Sequence, residues 1–137
     1  MVVRGAIAFL MILTACHSGD NTPTSPQQAT VTSLGRLSGV VTIGPNCPGP
    51  ETTQPCPTPP DAYALRKVLV YDEAKTKLLF TVDIDSQGSY LVDLAPARYS
   101  VDVKKAGVDR ASGVPAVVEI KANTVTKLDI SIDTGIR

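Results

Sequence analysis

The chain has 137 residues, 13 Lys and Arg against 13 Asp and Glu, one His, three Cys and no Trp. Balanced charge with no basic stripe excludes a nucleic-acid binder or a polybasic headgroup binder. The single His, His17, lies close to the N-terminus, so the rest of the chain lacks the usual base of Ser–His or Cys–His catalysis.

Met1-Val2-Val3-Arg4 carries one positive charge, Ala6 to Leu13 is a short apolar run, and small residues precede Cys16. These are the three parts of a secretory signal. The run falls far below the ~20 residues that span a bilayer as a helix. Leu13-Thr14-Ala15-Cys16 resembles the bacterial lipobox. That resemblance implies cleavage before Cys16, a diacylglycerol on its thiol and a further acyl chain, such as palmitate, on its freed amine. Two or more chains make a stable anchor, whereas one binds reversibly. His17 to Ser33 is mostly Ser, Thr, Pro, Gln, Asn and Gly, too polar to offset the entropy of ordering, and reads as a flexible tether. The expected organisation is therefore a signal peptide at 1–15, a lipidated Cys and tether at 16–35, and one folded domain at 36–137. The partner implied is a membrane, reached through the lipid. His17 rather than Asp after the Cys favours an outer membrane where the cell has two; with one membrane, the domain faces outward.

Lipid on Cys16 leaves Cys47 and Cys56 as an even pair, and an exporting compartment favours their disulfide. No CxxC occurs, so a redox or metal role for the pair is disfavoured. The Pro-rich 44–60 stretch cannot join a central strand and should form a long stapled loop after the first strand.

From Arg36 onward the apolar period is two. Leu37, Gly39, Val41 and Ile43 alternate with Ser38, Val40 and Thr42; Val68 and Val70 alternate with Leu69 and Tyr71. Leu78, Phe80, Val82 and Ile84 share a face, as do Tyr90, Val92 and Leu94, and Tyr99, Val101 and Val103. The last two runs are Val114, Ala116, Val118, Ile120 and Leu128, Ile130, Ile132. Seven short alternating runs separated by Gly, Pro, Asp and Asn predict an all-β, seven-stranded Greek-key sandwich, with no helix beyond a turn or two.

The segment Val82-Asp83-Ile84-Asp85-Ser86-Gln87-Gly88-Ser89-Tyr90 contains an acidic turn, D-x-x-G-x-Y, and Leu94-Ala95-Pro96-Ala97-Arg98-Tyr99-Ser100-Val101 follows it. Together with the opening Ser38-Gly39-Val40-Val41, these runs resemble the carboxypeptidase regulatory-like (transthyretin-like, prealbumin-type) sandwich over 36–137. The family's L-P-P-G-x-Y has Ala here at the first Pro and at the Gly. Such modules are accessories to many proteins, so the resemblance implies a fold and no particular activity. The urate-pathway hydrolases of this fold need His, Arg and a Tyr-Arg-Gly-Ser ending. This chain ends Gly135-Ile136-Arg137, so that activity is not carried over.

The expected function is non-catalytic: a membrane-anchored binding or structural module that needs no cofactor and meets a cell-envelope protein or glycan at its loop end. A carbohydrate-binding accessory is the alternative, with Tyr63 and Tyr71 as the candidate ligand-binding, stacking residues. Asp83 and Asp85 open an acidic turn that could hold calcium, but Gln87 and Leu94 stand where further ligands belong. An intramolecular Lys–Asn isopeptide would need Lys67, Glu119 and Asn123 buried together, whereas Lys67 reads as solvent-facing.

Overall fold

The computed structural model describes residues 32–49 and 56–136. Residues 1–31, where the signal peptide, the lipidated Cys16 and most of the tether are expected, and residues 50–55 lie outside the described residues.

Among the described residues, nine strands and one short helix follow in order: β1 (Gly35–Gly44), α1 (Pro60–Ala64), β2 (Lys67–Asp72), β3 (Leu78–Asp83), β4 (Ser89–Leu94), β5 (Ala97–Lys104), β6 (Arg110–Ser112), β7 (Ala116–Ile120), β8 (Val125–Lys127) and β9 (Ile130–Asp133). One sheet runs β4-β1-β9-β6, with β8 also on β1; the other runs β3-β2-β5-β7. The alternation in β1 sends Leu37, Val41 and Ile43 inward against Val68, Val70 and Val101 of the facing sheet. Each fully buried aliphatic side chain stabilises by roughly 1.5–3 kcal/mol. Among the described strands only β2–β3 is a hairpin between neighbours. Every other step except β8–β9 changes sheet, which interlocks the sandwich in the Greek-key manner expected.

Two strands exceed the seven predicted, β6 and β8, each three residues long and too short to display a period of two. β8 and β9 follow one track along β1, both parallel to it, interrupted at Leu128 and Asp129. The expected common face of Leu78, Phe80, Val82 and Ile84 holds only in part. Val82 and Ile84 are buried, but the β2–β3 register shifts between Val70 and Tyr71, leaving Leu79 without a partner residue. That bulge rotates the start of β3, and Leu78, Leu79 and Phe80 are all exposed.

Turn chemistry follows the sequence. Asp72 closes the β2–β3 hairpin by accepting the backbone N–H of Thr76 (2.6 Å) and Lys77 (3.0 Å), and the Thr76 hydroxyl as well. Those bonds, led by the hydroxyl, hold its carboxyl below the usual carboxylate range. The Tyr99 hydroxyl donates back to the Ala95 carbonyl (2.8 Å), tying the start of β5 to the turn at Pro96. This is a tyrosine corner, and it needs neither the missing Pro nor the missing Gly.

β1 starts at one end of the sandwich. Ten residues of strand at ~3.3 Å each carry it to the opposite end. There Cys47 and Cys56 are bridged, with Cα atoms 6.0 Å apart. Asn46 gathers the base of the loop, its amide donating to the Ile43 carbonyl (3.1 Å) and the Thr58 hydroxyl (3.0 Å). Closing so short a loop removes roughly 2–3 kcal/mol of unfolded-state entropy. Cys47→Ser should therefore lower unfolding free energy by about that amount in a urea titration. An unchanged midpoint in the non-reduced protein would show that the staple constrains nothing.

Candidate functional site

A cleft of about 570 Å³ lies on the outer face of the β1 sheet, beside β4. Its floor is Ser38, Val40, Ser89 and Leu91; Lys127 stands on one side and Asp83 and Asp85 on the other. The small serines leave the depression. Val40 and Leu91 line it with exposed apolar surface, 44% and 53% accessible.

The interruption between β8 and β9 shapes this floor. Leu128 N–H still bonds the Ser38 carbonyl (2.9 Å), but at the next position the Asp129 carboxylate accepts the Val40 N–H (2.9 Å). From beneath, the Tyr90 hydroxyl donates to the Leu128 carbonyl (2.5 Å). Tyr90 is 3% exposed; burial, aided by the Asp129 charge, pushes its phenol far above the ordinary value and keeps it a neutral donor. The floor is thus held from both sides.

The acidic side is built by the β3–β4 turn. Asp85 Oδ1 accepts the backbone N–H of Gln87 (2.9 Å) and Ser89 (2.8 Å). Gly88 completes the turn at φ +88°, where a Cβ would meet the Val41 carbonyl at 2.5 Å and the Tyr63 ring at 3.0 Å. Asp83 pairs with Lys67 Nζ (2.5 Å) yet keeps its side chain 83% exposed. Lys127 makes no ion pair among the described residues.

The candidate residues read from the sequence do not assemble into one site. Tyr63, on α1, is 8% exposed and plugs the core beneath Gly88; it offers no face for a sugar to stack on. Tyr71 lies at the far end of β2 on the outer face of the other sheet, with the Lys75 amine 5.7 Å from its ring centroid. Lys75 also pairs with Asp102. Asp83 and Asp85 come together, but one carries an ion pair and the other caps its turn. Among the described residues no three His, Cys, Asp or Glu side chains gather as a metal site. Lys67 lies opposite Lys104 at the end of β5, whereas Glu119 lies opposite Arg98 near its beginning and Asn123 is in the turn after β7. The isopeptide trio is therefore split between the two ends of the sandwich.

Lys127, Val40 and Leu91 were missed as a group. The signal for Val40 and Leu91 was present as the apolar doublets Val40-Val41 and Leu91-Val92, each placing one apolar residue on the solvent face, whereas Lys127 carried none. Only the β1–β4 and β1–β8 registers bring them together.

No protein-family model and no curated protein matches the chain. Among solved structures it is similar to a DUF3823 family protein from Parabacteroides merdae, at 15% identity and TM-score 0.46, covering 74% of this chain and 46% of that one. It is also similar to a minor pilin of Streptococcus agalactiae, at 12% identity and TM-score 0.48, covering 74% and 44%. A pilus-presented adhesin aligns at 12% identity and TM-score 0.28, over 77% of this chain and 28% of that one. The chain spans less than half the length of each of these proteins.

Proposed function

We propose that this chain is an extracytoplasmic lipoprotein, cleaved before Cys16 and held to a membrane by lipid there, whose sandwich at 36–137 binds a partner without catalysing a reaction. In this reading residues 16–35 are the lipidated tether, and the domain is of the carboxypeptidase regulatory-like kind. Where the cell has two membranes, the outer one is the address. The observation that carries the reading is the Cys47–Cys56 bridge. It accounts for two of the three cysteines, belongs to an oxidising compartment, and leaves Cys16 as the one thiol for lipid.

The geometry supports binding over catalysis. The cleft holds hydroxyls, one amine and two carboxylates, and those carboxylates serve an ion pair and a turn cap rather than standing against a nucleophile. β1 begins at Gly35 and ends at Gly44 beside the stapled loop, so the loop stands at the opposite end of the strand from residue 35.

Detergent phase partitioning with intact-mass analysis tests the anchor. The wild-type chain should enter the detergent phase and carry the mass of a diacylglycerol plus an acyl chain on Cys16. Cys16→Ser should remain aqueous and unlipidated. A wild-type chain that stays aqueous with an unmodified Cys16 removes the proposal.

A further inference from the structure

β4 is an edge strand: among the described residues it pairs with β1 alone. The Val41 N–H bonds the Gly88 carbonyl (2.7 Å), so by antiparallel alternation Tyr90 and Val92 turn their backbone groups toward β1. Leu91 and Asp93 then turn theirs to the open edge. Ser89 points the same way, but its N–H and carbonyl are already taken by Asp85 (2.8 and 2.9 Å). The Asp85 turn thus shuts the edge at one end and leaves a two-residue window. Natural edges are commonly blunted by a Lys, a Pro or a bulge. In this window stands Leu91, 53% exposed, beside Val40 on the cleft floor.

From this geometry we infer that the cleft and the β4 edge form one peptide-binding site, which takes an extended segment of a partner protein as an added strand. The inference rests on the binding-module reading above and names its ligand class. Backbone groups of the segment bond those of Leu91 and Asp93, the β-augmentation mode. Side chains of an added strand alternate, so every second one lies on the cleft face. The residue beside Leu91 meets the apolar floor and is aliphatic or aromatic. The residue two positions along, toward Ser89, meets Asp83 and Asp85 and is Lys or Arg. Asp85 spends only Oδ1 on its turn, and Asp83 is largely exposed, so both can accept from a cation. A glycan fits less well, since the aromatic ring in the cleft, Tyr90, is buried.

The test uses the full chain, ¹⁵N-labelled in detergent micelles, titrated with a threonine-rich heptapeptide carrying Lys and Leu two positions apart. Controls carry Glu for Lys, or N-methylated backbone amides. The Lys peptide should shift the amide signals of Leu91, Asp93 and Ser38 and bind at least tenfold more tightly than the Glu peptide. N-methylation should abolish binding. Leu91→Arg, a change at an exposed position that leaves the core intact, should also abolish it, with amide dispersion retained. Equal binding of the Lys and Glu peptides, survival of binding in Leu91→Arg, or shifts confined to the 44–60 loop would overturn the inference. So would self-association through β4 in the absence of peptide. A chain that carries lipid on Cys16 yet ignores every peptide overturns this site alone and leaves the anchor reading standing.

Discussion

Asp109→Ala should destabilise the domain by about 3–5 kcal/mol, because it strands a buried guanidinium. Arg66 and Asp109 are both buried, and they meet as a fork: Nε to Oδ2 at 2.7 Å and Nη2 to Oδ1 at 2.8 Å. Arg66 also donates to the Ala62 carbonyl (2.6 Å), and Asp109 accepts the Ala106 N–H (2.9 Å). One ion pair therefore locks α1, the start of β2 and the β5–β6 loop together. Deleting the carboxylate removes its bonds and leaves the positive charge without water. The double change Arg66→Met with Asp109→Leu should be far milder, since no charge is then left buried.

The Arg36–Asp93 pair provides the contrast, with similar distances of 2.7 and 3.1 Å on an exposed face. Solvent screens it, so Asp93→Ala should barely move the urea midpoint. The Arg66 guanidinium holds Asp109 below the ordinary carboxylate value of 3.8. A lowered folded value means that this contribution is complete well above pH 4 and is lost as pH falls through the lower folded value. The gap between wild type and Asp109→Ala should accordingly be constant near neutrality and narrow in strong acid. A gap that widens on acidification would contradict the assignment. Urea titrations followed by circular dichroism at several pH values supply the measurement.

Gly39→Ala should cost at least about 3 kcal/mol, the upper range for overpacking. A Cβ at Gly39 would sit 1.9 Å from the Leu128 carbonyl oxygen and 2.9 Å from the Tyr90 ring. The first obstacle is backbone, held in place by the Tyr90 hydroxyl, so it cannot swing aside as a side chain would. Replacing Gly by Ala in a strand normally gains about 0.5–1 kcal/mol from reduced unfolded-state entropy. Here the steric loss exceeds that gain and sets the sign. The same change should displace Leu128 and Asp129 and so distort the cleft floor, visible as amide shifts at Val40 and Lys127. A Gly39→Ala variant of wild-type stability would show that the β8–β9 interruption does not depend on this glycine.

The strands were readable because half-buried sheets impose a period of two, and β1 displays it without error from Leu37 to Ile43. The acidic turn was readable for a similar local reason, since Asp85 bonds amides only two and four residues on. β3 misled because its bulge depends on how β2 pairs with it, information that lies outside the segment. Tyr63 misled because an aromatic residue near a loop looks the same whether it faces a ligand or fills the core. Its partner, Gly88, is far along the chain.

By itself the sequence determined the all-β class and the lack of a histidine beyond His17, and it offered Cys47 with Cys56 as the pair once the lipobox resemblance had taken Cys16. Each follows from local pattern, composition or count. Tertiary structure alone decided that Arg66 finds Asp109, that Gly39 must lack a side chain, and that Val40, Leu91 and Lys127 share a cleft with Asp83 and Asp85. Arg66 and Asp109 are 43 positions apart, and β1 meets β4 and β8 from still farther along the chain. Such contacts arise from strand registers that no single segment encodes.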